Sequence, residues 1–377
     1  MKCLCLITSL PIGGAEKSLL RLIDNSNDEV EYLLISLDRK RDMESSFEKI
    51  GVKIINLNLK GRISDLSNII YLYKTIKEWR PDLIYAWMYH AMFLSLICKL
   101  ISPSIPIVWS IRHNNLERKL NKLTTIILAH FLGFLSFVPR RIVYCSNESI
   151  SLHLSIGYKK KKSMLIENGF DSNEFKNRYE LSYEYRNFLR NKYFKDLMPN
   201  DLIIACCARF DPLKRFENFV SVASLLSDRV SDKVTFCLIG EGVIENKEML
   251  LNFAKKEHHQ KFSFFPAINS IDEMLLCVDI FVQTSKSESF PNIVAEAMLT
   301  GAAVVATDVG QTSRIVGGCG VIVPPDSIGV MVNELEVLVS NRKLRQSYMQ
   351  SAADQIRKNF GIRRSVEKHL KMFSEII

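Results

Sequence analysis

Two glutamates, the first and last residues of Glu288-Ser-Phe-Pro-Asn-Ile-Val-Ala-Glu296, are spaced so that both could hold one ligand. Proline suits the first turn of a helix, because the N–H that it lacks has no partner there. Pro291 therefore predicts a helix start, with Glu288 in the loop before it and Glu296 on the second turn of the helix. Carboxylates on either side of a helix start could accept hydrogen bonds from hydroxyl groups of the same molecule.

The helix start between the two glutamates is a predicted anion site. The backbone N–H groups of Asn292, Ile293 and Val294 would point out of the helix, and the helix dipole places positive charge at the same end. A sugar joined to a nucleoside by a diphosphate has hydroxyl groups on both sides of its phosphates, which matches this order. The alternative is a capped amphipathic helix whose two acids are simply solvated.

Two cations in the same half of the chain could neutralise such a diphosphate. Arg209 and Lys214 follow the apolar run Leu202–Cys207, a predicted strand, within Ala208-Arg-Phe-Asp-Pro-Leu-Lys214. Arginine offers paired hydrogen bonds to phosphate oxygens, and lysine offers a mobile point charge. Gly240 ends the next predicted strand and could contact the nucleoside. The alternatives are a pair of solvated surface cations and a simple turn.

The first half of the chain has further candidate positions. Gly13 and Gly14 follow the first predicted strand, and glycines permit unusual dihedral angles and let a ligand approach the backbone. His90 lies just past another strand, where an imidazole could donate to a sugar hydroxyl or to developing charge. The segment Arg112–Asn115 follows a third strand and could line the same site. Each has a structural alternative, which is a turn, a packed histidine or a solvated loop.

The elements that must position these residues alternate between strand and helix, twice over. Apolar runs rich in β-branched residues predict strands at Cys3–Ser9, Tyr32–Leu37, Lys53–Leu57, Leu83–Ala86, Ile107–Ile111, Arg141–Cys145, Leu202–Cys207, Thr235–Ile239, Phe262–Phe264, Ile280–Gln283, Ala303–Thr307 and Gly320–Val323. Helical spacing predicts helices at Ala15–Ile23, Leu66–Glu78, Ala91–Leu100, Arg215–Leu226, Ile244–Lys255, Ile271–Leu276, Asn292–Leu299, Ile328–Ser340 and Lys343–Lys358. This alternation predicts parallel sheets covered by helices, and hence an α/β chain with two Rossmann-like, doubly wound domains. Ligands bind beyond the carboxyl ends of such strands, so we expect the active site in a cleft that the two domains face.

A polar segment separates the two runs of strands and helices. Residues 168–200 are rich in Asn, Tyr, Arg and Lys and poor in aliphatic residues, which predicts a linker with an irregular helix. The predicted domains are therefore 1–167 and 201–359. All of the net positive charge is in the first half, where residues 1–167 hold 24 Lys+Arg and 15 Asp+Glu, whereas residues 168–377 hold 26 of each.

Basic residues flank an apolar segment, residues 123–138, in the first half. The segment is shorter than the roughly 20 residues that a membrane-spanning helix needs. Its flanks include Arg118, Lys119, Lys122 and Arg140, a pattern that suits an interfacial position on anionic lipid. The alternative is a buried core helix with solvated ends. Nucleic acid also attracts basic proteins, but the sequence has no recognised nucleic-acid-binding motif.

The combined motifs resemble one known family, the retaining glycosyltransferases of family 4 with the GT-B fold. The resemblance covers almost the full length and rests on Gly13-Gly-Ala-Glu-Lys17, Trp87-Met-Tyr-His90, Glu167-Asn-Gly-Phe-Asp171, Ala208-Arg-Phe-Asp-Pro-Leu-Lys214, Glu288 to Glu296, and Thr307-Asp-Val-Gly310. Many relatives have Gly-Gly-x-x-Glu where this chain has Gly310-Gln-Thr-Ser-Arg. This variant, together with Trp109-Ser-Ile-Arg-His-Asn-Asn115, resembles bacterial transferases for capsule, O-antigen and lipopolysaccharide.

The resemblance implies a role for each matching position. Glu296 should bind the ribose hydroxyls, and Glu288 and His90 should contact the donor sugar. Arg209 and Lys214 should hold the diphosphate with help from the backbone at Asn292–Val294. The remaining implied positions are the glycine loop, Gly13 and Gly14, facing donor and acceptor, and the C-terminal helix, about 360–377, crossing back onto the first domain.

The implied reaction transfers a sugar from a nucleotide diphosphate sugar, a UDP-hexose or UDP-N-acetylhexosamine as leading choice, to a lipid-linked or lipopolysaccharide glycan. No acidic pair has metal-binding spacing, so we expect no metal and no cofactor beyond the donor itself. The N-terminus lacks the long apolar region of a signal peptide, so we expect a cytoplasmic protein held peripherally on the anionic inner face of the bacterial inner membrane. The alternatives are a nucleotide-sugar epimerase of the same fold and a non-catalytic membrane partner in polysaccharide assembly.

Overall fold

The computed structural model describes residues 1–59, 66–194, 198, 201–231, 233–268 and 270–377. The described chain forms two units. Unit 1 comprises Met1–Gly169 and Ile362–Ile377, and unit 2 comprises Phe170–Gly361. Each unit is built around its own parallel sheet, which confirms the predicted α/β class with two Rossmann-like domains.

The described residues of unit 1 form a sheet of seven parallel strands in the order β3-β2-β1-β4-β5-β6-β7. The strands are Lys2–Ile7 (β1), Glu31–Ser36 (β2), Lys53–Asn56 (β3), Leu83–Trp87 (β4), Ile107–Ile111 (β5), Arg141–Tyr144 (β6) and Ser163–Leu165 (β7). Alternate residues of β1 enter different core layers, with Cys3 and Cys5 in one and Leu4 and Leu6 in the other. Because both faces are covered, β1 is a continuous apolar run in the sequence.

The helices of unit 1 fill the connections between these strands. They are Gly14–Asp24 (α1), Glu44–Lys49 (α2), Leu66–Trp79 (α3), Tyr89–Ile101 (α4), Leu123–Phe134 (α5) and Asn147–Ser155 (α6). Helix α5 buries Ala129, Leu132 and Gly133 but leaves Ile127 and Phe134 exposed. The apolar segment 123–138 therefore both contributes to the core and presents an apolar surface. In the part of the chain that the structure describes, no helix is long and apolar enough to cross a membrane.

The described residues of unit 2 form a second parallel sheet, of six strands, in the order β10-β9-β8-β11-β12-β13. Its strands are Leu202–Cys207 (β8), Val234–Ile239 (β9), Phe262–Phe265 (β10), Ile280–Gln283 (β11), Ala303–Thr307 (β12) and Val321–Val323 (β13). Its helices are Tyr183–Tyr193 (α7), Phe216–Ser227 (α8), Lys247–Leu251 (α9), Ile271–Cys277 (α10), Asn292–Leu299 (α11), Thr312–Val316 (α12), Ile328–Ser340 (α13) and Arg342–Phe360 (α14).

The last helix, Ile362–Ile376 (α15), belongs to unit 1. Its Val366 and Phe373 lie in the core layer that contains Cys3 and Cys5. The Ser365 hydroxyl donates to the Glu167 carbonyl oxygen at 3.0 Å. The C-terminal helix is thus part of the same core as the first strand of the chain.

The segment 168–200 contains the predicted helix, which is α7, but the described residues around it do not form the predicted linker. Residues 195–197, 199 and 200 lie outside the described residues. From Phe170 onward its described residues belong to unit 2. The buried Arg178 and Arg190 donate to the carboxylate of Asp279, at 3.2 and 3.5 Å. The polar composition therefore reflects cations paired inside unit 2 and not a solvated connection.

Some elements differ in length from the prediction, and others were not predicted. The predicted helix Ile244–Lys255 is helical only over α9, Lys247–Leu251. Strand β7 and helix α6 were not predicted, because a three-residue strand and a short polar helix show no clear period in the sequence.

Candidate functional site

The segment from Glu288 to Glu296 connects β11 to α11. Glu288 lies in the loop, Pro291 immediately precedes the helix, and Asn292 begins it. Glu296 lies on the second turn and is only 2% exposed, so its carboxylate is enclosed within unit 2. The order of loop, helix start and helix agrees with the prediction from the proline.

The start of α11 has fewer outward-pointing backbone N–H groups than the sequence predicted. The Val294 N–H donates to the Pro291 carbonyl oxygen at 3.1 Å, and Val294 is fully buried. This amide is therefore engaged in the first turn and does not point out of the helix, because an i to i−3 bond tightens the turn there. The anion site expected at Asn292, Ile293 and Val294 is reduced to the first two residues.

Side-chain donors from several described residues reach the same carboxylate oxygen of Glu288. Lys214 Nζ lies 2.6 Å from Glu288 Oε1, the Ser285 hydroxyl 2.8 Å and Gln283 Nε2 3.4 Å. The side chains of Lys214 and Glu288 are 24% and 13% exposed, so the ion pair is half-buried and open to solvent on one side. Such a pair can exchange partners when a ligand brings phosphate to the lysine and hydroxyl groups to the glutamate.

Lys214 is placed by a short and well-determined turn. It ends a 3-10 helix, Pro212–Lys214, that follows β8, and Asp211 caps this helix by accepting from the Leu213 N–H at 2.9 Å. The Thr284 hydroxyl donates to the Lys214 carbonyl oxygen at 3.0 Å. The lysine therefore stands at the carboxyl edge of the sheet, attached to the loop that carries Glu288.

Arg209 lies in the same connection but is less constrained. Its side chain is 63% exposed, and its Nη2 is 4.0 Å from the nearer oxygen of Asp211. A surface ion pair of this length contributes little to stability. The structure thus brings Lys214 and Glu288 into contact and leaves Arg209 free to turn toward an anion.

Two glycines let the loops of unit 2 approach one another. Gly240 has φ +151°, and a Cβ there would lie 1.7 Å from the Ala208 carbonyl oxygen. Gly310 has φ +56°, and a Cβ would lie 2.1 Å from the Glu288 carbonyl oxygen. Both positions need glycine because the backbone is in the left-handed region and another backbone is in contact. The close contact with the backbone at Ala208, next to Arg209, is therefore sufficient to require glycine at position 240.

The glycine loop of unit 1 differs from the prediction. Gly13 precedes α1 with φ −152°, an extended conformation that any residue adopts, and Gly14 is the first helical residue. A Cβ on Gly13 would lie 2.3 Å from Glu16 Oε2, so glycine here makes room for that carboxylate. The start of α1 is therefore occupied by an acid of its own helix.

His90 is the second residue of α4, and its side chain is exposed. Partial desolvation, and then the positive charge of Lys122, lower its pKa below the ordinary value of histidine. The imidazole is therefore neutral near pH 7, so one ring nitrogen can donate a hydrogen bond and the other can accept one. The residue two before it, Met88, has φ +72°, which is strained for a side chain with a Cβ.

The sequence did not indicate Gln283 and Ser285 as part of the site. Gln283 is the last residue of β11, and its Oε1 also accepts from the Thr312 hydroxyl at 3.4 Å. The sequence could have indicated them only by their position, because they lie at the end of a predicted strand and shortly before Glu288. The described cluster therefore comprises Lys214, Gln283, Ser285 and Glu288 in unit 2, whereas Gly13, Gly14 and His90 belong to unit 1.

Two family descriptions match this chain, and the matches meet near the boundary of the two units. Residues 12–174 match Glycosyltransferase Family 4, and residues 188–355 match Glycosyl transferases group 1. The second range contains Lys214, Glu288 and Glu296, and the first contains His90.

Curated proteins are similar to this chain at low identity. The UDP-Gal:alpha-D-GlcNAc-diphosphoundecaprenol alpha-1,3-galactosyltransferase of Escherichia coli is 21% identical over 324 residues, which cover 84% of this chain and 81% of that protein. The lipopolysaccharide core biosynthesis mannosyltransferase LpsB of Rhizobium meliloti is 28% identical over 177 residues, or 44% of this chain. That second match spans only about half, 49%, of LpsB.

A solved structure, that of Anabaena HepE in complex with UDP-glucose, has the same fold. It is 19% identical and covers 100% of both chains with a TM-score of 0.85. At this identity the likeness shows the fold alone.

Proposed function

This chain belongs to the family 4 glycosyltransferases with the GT-B fold, and from that premise we propose that it transfers a hexose or N-acetylhexosamine from a UDP-sugar to a lipid-linked or lipopolysaccharide glycan. Support for the donor is that HepE binds UDP-glucose and that the E. coli relative uses UDP-Gal. Support for the acceptor is the same relative's diphosphoundecaprenol-linked GlcNAc and the lipopolysaccharide core of LpsB. We further assign the product to bacterial surface polysaccharide, including capsule.

The observation that carries this function is the Lys214–Glu288 pair at 2.6 Å, at the carboxyl edge of the sheet in unit 2. Ligands of doubly wound sheets bind at that edge. A lysine suits the diphosphate of a nucleotide sugar, and a carboxylate suits the hydroxyl groups of the sugar beside it. The pair combines both requirements within one half-buried contact.

The other residues take roles around this pair. Arg209 turns from Asp211 to the diphosphate, and the amides of Asn292 and Ile293 add donors at the start of α11. Glu296 accepts from the ribose hydroxyls, and the backbone near Gly240 contacts the base. From unit 1, His90 donates to the donor sugar, and the Gly13-Gly14 loop contacts the acceptor side.

We propose that the configuration at the anomeric carbon is retained. The bond from this carbon to the leaving phosphate oxygen breaks, and the acceptor oxygen forms a new bond on the same face. The proton of the acceptor hydroxyl passes to the leaving phosphate. The positive charges of Lys214 and Arg209 stabilise the departing diphosphate, so the reaction needs no metal ion and no cofactor other than the donor.

A peripheral position on the inner face of the inner membrane accompanies a lipid-linked acceptor. One face of α5 exposes apolar side chains at helical spacing, and their exposed fractions are 54% for Leu123, 59% for Ile127, 46% for Phe131 and 75% for Phe134. Basic residues before and after this helix favour anionic lipid.

Vesicle flotation tests the membrane position. The protein should float with vesicles of anionic phospholipid at low salt and be released at high salt, since salt screens the basic residues. Phe134→Asp should weaken this binding, whereas Phe188→Asp, at a phenylalanine of unit 2 that is 61% exposed, should not. Equal loss in both variants, or no binding by the native protein, would contradict this position.

A transfer assay with a panel of UDP-sugars and a GlcNAc-diphospholipid acceptor tests the function itself. The native protein should form a glycosidic product whose anomeric configuration, read by NMR, equals that of the donor. Lys214→Ala should reduce the rate about 100- to 1,000-fold, as loss of one group that stabilises developing charge does elsewhere. The matched control Lys343→Ala removes an exposed lysine of unit 2 and should retain full activity.

Two outcomes would replace the proposal. Conversion of the donor to an epimer without acceptor would identify a nucleotide-sugar epimerase. Vesicle binding with no donor consumption by any lipid-linked acceptor would identify a non-catalytic partner in polysaccharide assembly.

A further inference from the structure

Arg112 is a half-buried cation at the carboxyl edge of the sheet in unit 1. It directly follows β5, and its guanidinium carbon is 4.1 Å from the centre of the Trp87 ring. Its Nε donates to the Ser110 hydroxyl at 2.8 Å, and its Nη1 donates to Asn168 Oδ1. These partners are neutral, and within the described ranges of the chain Arg112 forms no ion pair with a carboxylate.

The other groups around Arg112 are uncharged as well. Burial raises the pKa of Tyr85 to about 12, so the phenol stays protonated at neutral pH. Burial, together with the charge of Arg112, lowers the pKa of His369 to about 3, so this imidazole is neutral. His369 Nε2 is 3.2 Å from the Tyr85 hydroxyl. Nothing in this group of described side chains cancels the positive charge of the guanidinium.

A partly buried charge without a counter-ion has lost hydration and gained no ionic partner, which costs stability. Buried arginines in unit 2 avoid this cost, because Arg178 and Arg190 both pair with Asp279. The ring beneath Arg112, that of Trp87, has an unsatisfied donor, since its Nε1 is buried with no hydrogen-bond partner among the described residues. A cation with no carboxylate paired to it among the described residues, beside an unsatisfied donor at the edge where ligands bind, fits an anion.

We infer that Arg112 binds a phosphate group of the lipid-linked acceptor, an inference that rests on the proposed function. The guanidinium fork fits phosphate oxygens, and stacking on Trp87 with bonds to Ser110 and Asn168 fixes its direction before the ligand arrives. The diphosphate of the donor is assigned to Arg209 and Lys214 of unit 2, so the charge of Arg112 serves the second substrate. Acceptors with a diphosphate next to the sugar are therefore preferred over neutral glycosides.

Two soluble acceptors with the same sugar test this inference. One carries GlcNAc on a short-chain lipid diphosphate and the other is a phosphate-free alkyl glycoside of GlcNAc. Arg112→Gln should raise KM for the diphosphate acceptor by about 10- to 100-fold, the expected effect of losing a charge-assisted hydrogen bond. KM for the glycoside and KM for the UDP-sugar should change by less than about 3-fold, since neither substrate uses this contact in the inferred site.

Two variants control for the loss of charge and of packing. Arg80→Gln removes an exposed positive charge from the same unit, at a position assigned to neither substrate nor membrane, and should leave all three KM values unchanged. Arg112→Lys keeps the charge without the fork, so its KM for the diphosphate acceptor should fall between those of the native protein and Arg112→Gln. Equal increases for both acceptors would reduce Arg112 to a structural residue, and an increase for the UDP-sugar alone would assign it to the donor.

A binding measurement separates failure of this inference from failure of the proposed function. Farnesyl diphosphate should bind the native protein in calorimetric titration and bind Arg112→Gln about 10- to 100-fold more weakly, with no turnover required. Equal affinity of both proteins would overturn the phosphate site. Differential binding without any transfer activity would keep the site and refute only the transferase reaction.

Discussion

Two charged clusters lie at opposite edges of the sheet in unit 2. At the amino edge, Asp279 precedes β11 and accepts from Arg178 and Arg190, whose side chains are 0% and 7% exposed. At the carboxyl edge, Glu288 follows β11 and pairs with Lys214, whose side chain is 24% exposed. One strand thus separates a buried cluster from a half-buried one.

The difference shows which edge is built for stability and which for binding. Asp279 also accepts from the Ile203 N–H at 3.0 Å, so its oxygens are committed to the backbone of β8 as well as to the arginines. Removing one partner from such a cluster leaves a buried charge unpaired. The Lys214–Glu288 pair can instead be hydrated when it separates, so opening it to a ligand costs less.

The largest expected effect is at the amino edge. Asp279→Asn keeps the size of the side chain and removes the charge that compensates Arg178 and Arg190. The free energy of unfolding should fall by about 3–5 kcal/mol, as for other buried ion pairs that lose one member. Urea denaturation followed by circular dichroism measures this, and a loss under about 1 kcal/mol would abolish the contrast between the edges.

The matched change at the carboxyl edge is Glu288→Gln. It should lower kcat by about 100- to 1,000-fold, because the carboxylate contacts the sugar while charge develops. The free energy of unfolding should change by no more than about 1 kcal/mol, since solvent reaches the pair. Initial rates and the same urea titration give both values. A decrease in the free energy of unfolding as large as that of Asp279→Asn would show that Glu288 is structural.

A smaller effect should follow from Gly310→Ala. The left-handed backbone and the contact with the Glu288 carbonyl oxygen should lower the free energy of unfolding by about 1–3 kcal/mol and raise KM for the donor. Gly329→Ala is the control, because Gly329 lies in α13 with no atom within 4 Å of its added Cβ. That variant should be neutral or slightly more stable. Identical thermal midpoints for the two variants would contradict the contact.

The smallest effect is expected at an exposed pair of unit 2. Arg229 Nη1 lies 3.1 Å from Glu336 Oε2, and the two side chains are 42% and 40% exposed. Glu336→Gln should change the free energy of unfolding by less than about 1 kcal/mol, and salt should reduce even that. Denaturation at low and high salt measures it. A cost near that of Asp279→Asn would show that burial is not what distinguishes the clusters.

The sequence predicted the central strands of both sheets well, because buried parallel strands are continuous apolar runs. Ile107–Ile111, Leu202–Cys207, Ile280–Gln283 and Ala303–Thr307 have the predicted bounds. The sequence predicted the segment 168–200 less well. Arg178 and Arg190 would be expected to be solvated, because their partner Asp279 is distant in the sequence. A charge can be recognised as buried only when its partner is known.

The candidate site was predicted in part. Pro291 correctly indicated the start of α11, and the motifs identified the glycosyltransferase family that the comparisons confirm. The outward donor at Val294 was wrong, because tightening of the first turn depends on the local backbone. Gln283 and Ser285 were missed, because neither residue type is distinctive until the structure directs it at Glu288.

Local pattern therefore accounts for the α/β class, the two sheets and the loop-to-helix order of Glu288 and Glu296, since periodicity and proline act over a few residues. Contacts between distant residues came only from the folded chain. Lys214 meets Glu288 across 74 positions, Arg178 meets Asp279 across 101, and Arg112 meets Asn168 across 56. Whether a charge is paired, half-buried or left for a ligand depends on such contacts, because burial and the distance to a counter-ion are properties of the packed units.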